Sequence, residues 1–338
     1  MKKSATLTSI QLLRAVAALS VVYAHCTYEC YNLPNFGHFG VDIFFIISGF
    51  IIAYMVSKNT EYFFIKRIIR IVPLYFLVTI VITLAAIDSL NFISRTISVS
   101  DFIRSIFFVP SESGNSGSPI ISQGWTLNYE IFFYVIVTFC IIFAKKYITI
   151  ICSLILALII IGLNWLNPEN YIMAYYKETM SLEFIYGIGL YHFYKYVNTS
   201  KIQFNKTAKI IILPALAIIS YGALIFNNFA SHSEYLFRGI PALILVASIL
   251  FLEENIKNTK IIQFGVKLGE ASYTMYLIHF LIINFLGKNF NKIIDINDIL
   301  VIELIKIIIT FIVIIFFSII IHRFIDNPIQ NYFRNMLK

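Results

Sequence analysis

Charge is what this chain has least of. Asp, Glu, Lys and Arg together make up 13% of its 338 residues, about half the share found in ordinary soluble domains. With 59% of residues hydrophobic, it has too little polar side chain to cover a water-soluble globule, and the soluble enzyme classes are excluded. Cysteine is scarce too. Cys26, Cys30, Cys140 and Cys152 sit in or beside apolar stretches, spaced neither as a disulfide framework nor as a metal site. No His/Asp/Glu spacing suggests a bound metal, and neither an internal repeat nor a soluble-domain stretch is visible. The net charge of +8 would point to nucleic acid in a soluble protein. Here the basic residues fall between apolar runs, so they read as topology signals and no nucleic-acid partner is expected.

What the chain has in abundance is long apolar runs, with 32 Phe and 21 Tyr suited to lipid contact and wet interfaces. Runs able to cross a hydrocarbon core of about 30 Å cover 9–30, 38–57, 70–87, 126–144, 147–163, 180–196, 208–226, 236–252, 272–287 and 299–322. The fold class is therefore all-α: a polytopic membrane protein with about ten transmembrane helices. Lys2, Lys3, Lys58, Lys66, Arg67, Arg70, Lys145 and Lys146 fall on one set of ends and loops, the more basic one. By the positive-inside rule both termini are then cytoplasmic. Lys2 and Lys3 before an apolar run resemble a signal peptide, but Arg14 interrupts that run and Ala24-His25-Cys26 is a poor cleavage site, so a retained first span is expected. The connection 88–125, with its Ser/Gly-rich stretch 111–119, is expected to be an external flexible loop.

Arg14 and His25 stand inside the first apolar run. Eleven helical steps bring them to within about 20° of each other, about 16 Å apart along the axis. Ionisable side chains inside a membrane are costly and usually face a cavity where they act. Counting from the span ends puts His25, Asp42 and Glu130 at similar height near the outer side, with His25 the only histidine there, and Arg67 and Arg70 at the cytoplasmic mouth.

At these residues the chain resembles the acyltransferase family 3 membrane proteins, the O-acyltransferases of bacterial surface polysaccharides. The resemblance rests on several ordered motifs: Arg14-x10-His25; Gly40-Val41-Asp42-Ile43-Phe44-Phe45 running into Ser48-Gly49-Phe50; Arg67-Ile68-Ile69-Arg70; Trp125-Thr126-Leu127 with Glu130; Ser272-Tyr273-Thr274-Met275-Tyr276 with His279; and Asp326-Asn327-Pro328. Thr126 stands where serine is common in the family, and Asp326 where glutamate is. The resemblance implies one ten-helix membrane domain over 1–338, in the bacterial inner membrane. Its activity would move an acyl group, usually acetyl, from cytoplasmic acyl-CoA to a sugar hydroxyl of a surface or lipid-linked glycan. It also implies that His25 is essential and that Arg67 and Arg70 meet the donor. The chain ends just after the last span, so no fused soluble domain is expected.

Acyl transfer needs a base, a held thioester and stabilisation of the developing oxyanion. His25 is the expected base, with Asp42, or failing that Glu130, orienting it. Asp42 alternatively neutralises an arginine. Arg67 and Arg70 share a helix face and suit the phosphates of acetyl-CoA, with Arg14 guiding the donor inward. Ser48, Trp125, Ser272, Tyr276 and His279 are expected to line the substrate cavity, although interface anchoring serves as well for Trp125 and helix–helix hydrogen bonding for the last three. His322 with Arg323 and Asp326 reads as an end anchor, and His38, His192 and His232 receive no role. A proton-coupled transporter or flippase, with Arg14, His25, Asp42 and Glu130 as its path, is the alternative. The acceptor sugar, the acyl chain and the oligomeric state are left open.

Overall fold

The structure is a computed structural model and describes residues 7–29, 33–87, 97–111, 118–144, 147–202, 204–227, 234–293 and 300–337. Cys30, Lys145, Lys146, His232 and the stretch 112–117 lie outside them. Among the described residues there are helices and turns but no strand. In chain order the helices are α1 (Thr8–Glu29), α2 (Gly40–Val56), α3 (Phe63–Ile87), α4 (Val99–Ile106), α5 (Trp125–Ala144), α6 (Ile148–Leu166), α7 (Tyr171–Tyr176) and α8 (Glu183–Thr199). They continue with α9 (Leu213–Asn227), α10 (Glu234–Phe237), α11 (Gly239–Phe251), α12 (Lys260–Glu270), α13 (Ser272–Ile293), α14 (Leu300–Ile321) and α15 (Asn327–Asn335).

Each apolar run of the sequence coincides with a helix. By length and hydropathy six are able to cross a membrane, in Thr8–Thr27, Phe63–Leu84, Ser122–Ala144, Ile148–Leu166, Ala208–Asn227 and Val301–Asn335. Gly40–Val56, Gly239–Phe251 and Ser272–Gly287 are shorter apolar helices. Burial separates two kinds. α1 is mostly buried in the protein, whereas α6 and α9 turn most of their surface outward, so α1 is a central helix with others packed around it. Cys26, Cys140 and Cys152 are buried thiols.

The described parts of the connection after α3, 97–111 and 118–124, are held in place by buried groups. Ser98 caps α4 by accepting from Asp101 N, and the Asp101 carboxylate accepts from Ser98 N in return. Ser111 donates to Asp101 at 2.6 Å, and the Tyr75 and Ser105 hydroxyls pair at 2.7 Å. The buried carboxylate thus holds the segment to itself, and the buried Ser105 hydroxyl fastens it onto α3. After residue 117 the chain turns inward, with Ile120, Ile121 and Gln123 buried before α5 starts.

Two close approaches set the heights of everything else. Gly37 has φ 111° and packs on Ser20 O, and a β-carbon at Gly40 would overlap Ala17 O. The α1–α2 connection therefore folds back along α1 and starts α2 beside the middle of that helix. On the other side of α2, Gly49 and Gly187 bring α2 and α8 into backbone contact, Gly49 against Phe184 O and Gly187 against Ile46 O. Phe184 stacks between Phe45, at 4.6 Å, and Phe133, at 4.4 Å. Because the obstacle at Gly187 is backbone, Gly187→Val is expected to destabilise the fold by about 1–3 kcal/mol through overpacking. Thermal unfolding in detergent measures it, and an unchanged midpoint would contradict this packing.

Candidate active site

α1, α2, α3, α5 and α13 surround a cleft enclosing about 730 Å³ of non-protein space, mouth included. Arg14, Arg67, Arg70, Glu130, Ser48, Tyr134, Ser272 and Tyr276 line it, among apolar side chains of α2 and α3. Three guanidinium groups thus face one carboxylate. Arg67 and Arg70 come from successive turns of α3, and Arg14 from α1 at the same level. Tyr134 and Ser48 both donate to Glu130 Oε1, Ser48 at 3.4 Å. Arg14 Nη1 donates to Gln11 Oε1 at 3.3 Å. Arg67 is buried, and its Nε has no acceptor among the described residues. The Ser272 hydroxyl, also buried in this wall, has no hydrogen-bond partner there. Buried donors without acceptors are rare in folded proteins. In a cationic cleft they mark room for an anion.

Further along α1 a second cluster gathers. His25 is half-buried, and its ring lies 5.1 Å from that of His279, 5.9 Å from that of His38 and 6.0 Å from that of Phe280, between centroids. His279 is fully buried. Despite three imidazoles in one place, no set of His, Cys, Asp or Glu among the described residues has metal-holding geometry.

Tyr276 joins the two clusters. Its hydroxyl pairs with Thr126 Oγ1 at 2.8 Å and donates to Gln123 O at 2.8 Å, closing one wall of the cleft. Its ring lies 5.9 Å from His279 and 6.2 Å from Phe44. α1 and α13 pack together and run the same way, carrying Arg14 and Ser272 at the cleft and His25 and His279 at the far end.

Several expected placements are corrected. Glu130 is not beside His25: it lines the cleft with Arg14, Arg67 and Arg70, while the rings beside His25 are those of His279, His38 and Phe280. The reason is that 118–124 is itself packed inside the protein, with Gln123 O accepting from Tyr276, so α5 starts within the bundle. Asp42 is fully buried on the first turn of α2. With Gly40 beside Ala17, that turn starts eight residues below His25, about 12 Å along α1. His25 is not the only histidine at its level. His38 is carried there by the folded-back connection and His279 by α13. Of the other expected cavity residues, Ser48, Ser272 and Tyr276 line the cleft, whereas His279 stands outside it beside His25, and Trp125 outside it with its ring edge-on to Tyr129 and its carbonyl accepting from Tyr175. His192 pairs with Thr149 at the surface. His322 holds Asp326 at 2.9 Å across a single π-turn after α14.

Comparison with known proteins bears directly on this arrangement. The chain is 30% identical to the exopolysaccharide production protein ExoZ of Rhizobium meliloti over 258 residues, 75% of this chain and 78% of ExoZ. It is 24% identical to the peptidoglycan O-acetyltransferase OatA of Listeria monocytogenes over 315 residues, 81% of this chain and 49% of OatA, so it spans about half of that relative. No solved structure matches. The acyltransferase domain of the acyltransferase 3 family matches residues 7–323 and takes in both clusters: the chain belongs to that family and is a membrane acyltransferase.

Proposed function

We propose that the protein moves an acetyl group from cytoplasmic acetyl-CoA to a sugar hydroxyl of a cell-surface or lipid-linked glycan, in the inner membrane of a bacterium. The observation that carries the donor is the cleft, where three arginines meet one carboxylate and a buried Arg67 Nε lacks an acceptor. Guanidinium groups bind phosphate in forked pairs. Arg67 and Arg70 hold the phosphates, with Arg14 across the cleft at the same level guiding the donor inward, and Glu130 offsets and orients the arginines. The pantetheine arm, built at ordinary bond lengths, spans roughly 15–20 Å. That matches the separation of about 16 Å along α1 between Arg14 and His25, with Ser48, Ser272 and Tyr276 along the way.

His25 is the general base on the acceptor hydroxyl. Asp42 belongs with α2 beneath it, as a buried charge near the path and not as the group touching its ring. The orientation follows the basic loops: both termini are cytoplasmic, and all ten apolar helices cross the membrane, the shorter ones inside the bundle. The reading of a glycan acceptor is supported by relatives named for exopolysaccharide production and for peptidoglycan O-acetylation. Purified protein in nanodiscs, given radiolabelled acetyl-CoA and a lipid-linked glycan fraction, is expected to release free CoA and move label into glycan. Intact thioester after incubation, together with no binding of acetyl-CoA, would sink the proposal.

A further inference from the structure

His279 carries a chemical feature that cavity lining does not use. Its Nδ1 lies 2.7 Å from Tyr276 O and 3.2 Å from Met275 O, both on its own helix. A carbonyl oxygen only accepts, so Nδ1 carries the ring hydrogen and Nε2 carries the lone pair. Nε2 is on the ring edge turned away from the α13 backbone. It is buried and has no hydrogen-bond partner among the described residues. The His25 ring lies 5.1 Å away between centroids, tilted by 47° to the His279 ring. Two imidazoles joined by an N–H···N bond of about 2.9 Å stand at about this spacing.

We propose that His279 is the positioning partner of His25. Its Nε2 accepts the N–H of the His25 nitrogen that faces away from the acceptor, an approach that tightens when substrates are bound, as catalytic hydrogen bonds often do. This rests on the general-base reading above. In the transfer, the acceptor O–H bond breaks as its oxygen bonds to the acyl carbon, and the proton goes to the free ring nitrogen of His25. The C–S bond breaks with its electron pair leaving on sulfur, and His25 then returns the proton to that thiolate. A fixed lone pair behind His25 selects the tautomer whose other nitrogen is free to accept, and it stabilises the imidazolium while the proton is held. This is the orienting role a carboxylate fills in hydrolase triads, performed here by a neutral histidine locked by its own helix. The titratable groups around the pair are His38 from the α1–α2 connection and Tyr276 on α13.

Three variants in nanodiscs test the assignment, with kcat and KM for acetyl-CoA measured separately in the presence of glycan acceptor. His279→Phe keeps the ring volume and removes the lone pair; kcat is expected to fall about 100-fold, with KM for acetyl-CoA nearly unchanged. His279→Gln sets a carbonyl oxygen near the Nε2 position and is expected to recover about 10-fold over the Phe variant, whereas His279→Asn, whose oxygen falls near Nδ1, recovers little. A Phe variant within about threefold of wild type overturns the proposal, as does equal recovery by Asn and Gln. Should the Phe variant fail to accumulate, the Gln-to-Asn ratio decides alone. Full activity in His25→Ala would remove the underlying general-base reading as well, while loss in His25→Ala beside a fully active His279→Phe removes only the positioning role.

Discussion

His25→Ala is expected to lower acetyl transfer by about 1,000-fold, within the range that general acid–base catalysis supplies, while acetyl-CoA binds as before. The separation of effects follows from distance. The arginines that face the donor lie about three helical turns from His25, roughly 16 Å along α1, and no atom of His25 lines the cleft. Deleting the imidazole therefore leaves the guanidinium groups and their partners in place. It also costs the fold little, because His25 is only half-buried and contributes ring contacts alone among the described residues. The measurement pairs single-turnover transfer with equilibrium binding of acetyl-CoA to the same nanodisc preparation. Retained turnover would remove His25 from the mechanism. A parallel loss of donor binding would mean that the thioester end, and not the phosphates, carries the affinity.

The helices were legible because each is a long apolar run, and the family because its motifs are short, ordered and carried by polar residues inside those runs. Family membership also sets aside the transport alternative. What linear reading missed was height. Read linearly, a span begins at the membrane surface wherever its apolar run begins, and two connections here pack into the protein before their helices start. The stretch 118–124 descends into the protein before Trp125, which lowers Glu130 into the arginine cleft. The connection before α2 folds back along α1, with Gly37 at φ 111° and Gly40 against Ala17 O, which lowers Asp42 and delivers His38 to His25. A glycine in a polar connection is a visible signal, but only the surface it packs on says how far the chain turns back. His279 was recognisable as part of a motif. Its meeting with His25 was not, since nothing in either helix alone states that α1 and α13 run in register.

The donor cleft makes a second large effect testable at Arg70. Arg67 is the poorer probe: it is buried beside Glu130 and Tyr134, so its removal also empties a packed part of the cleft wall. Arg70 is half-buried at the same wall and among the described residues makes no side-chain hydrogen bond, so its loss breaks no side-chain hydrogen bond of the fold. A hydrogen bond to a charged group contributes about 1.5–3 kcal/mol, which is roughly 10- to 150-fold in affinity. Arg70→Ala is therefore expected to raise KM for acetyl-CoA by about 30-fold while kcat at saturation stays within about threefold of wild type. Arg70→Lys, which keeps the charge and loses the fork, falls between them. Salt supplies the control. Added electrolyte screens a half-exposed guanidinium–phosphate pair, so wild type loses more donor affinity than Arg70→Ala as ionic strength rises, and the two converge. A KM indifferent to both substitution and salt would move the phosphates of the donor away from this cleft. The excess positive charge inside the protein would then need another anion to explain it.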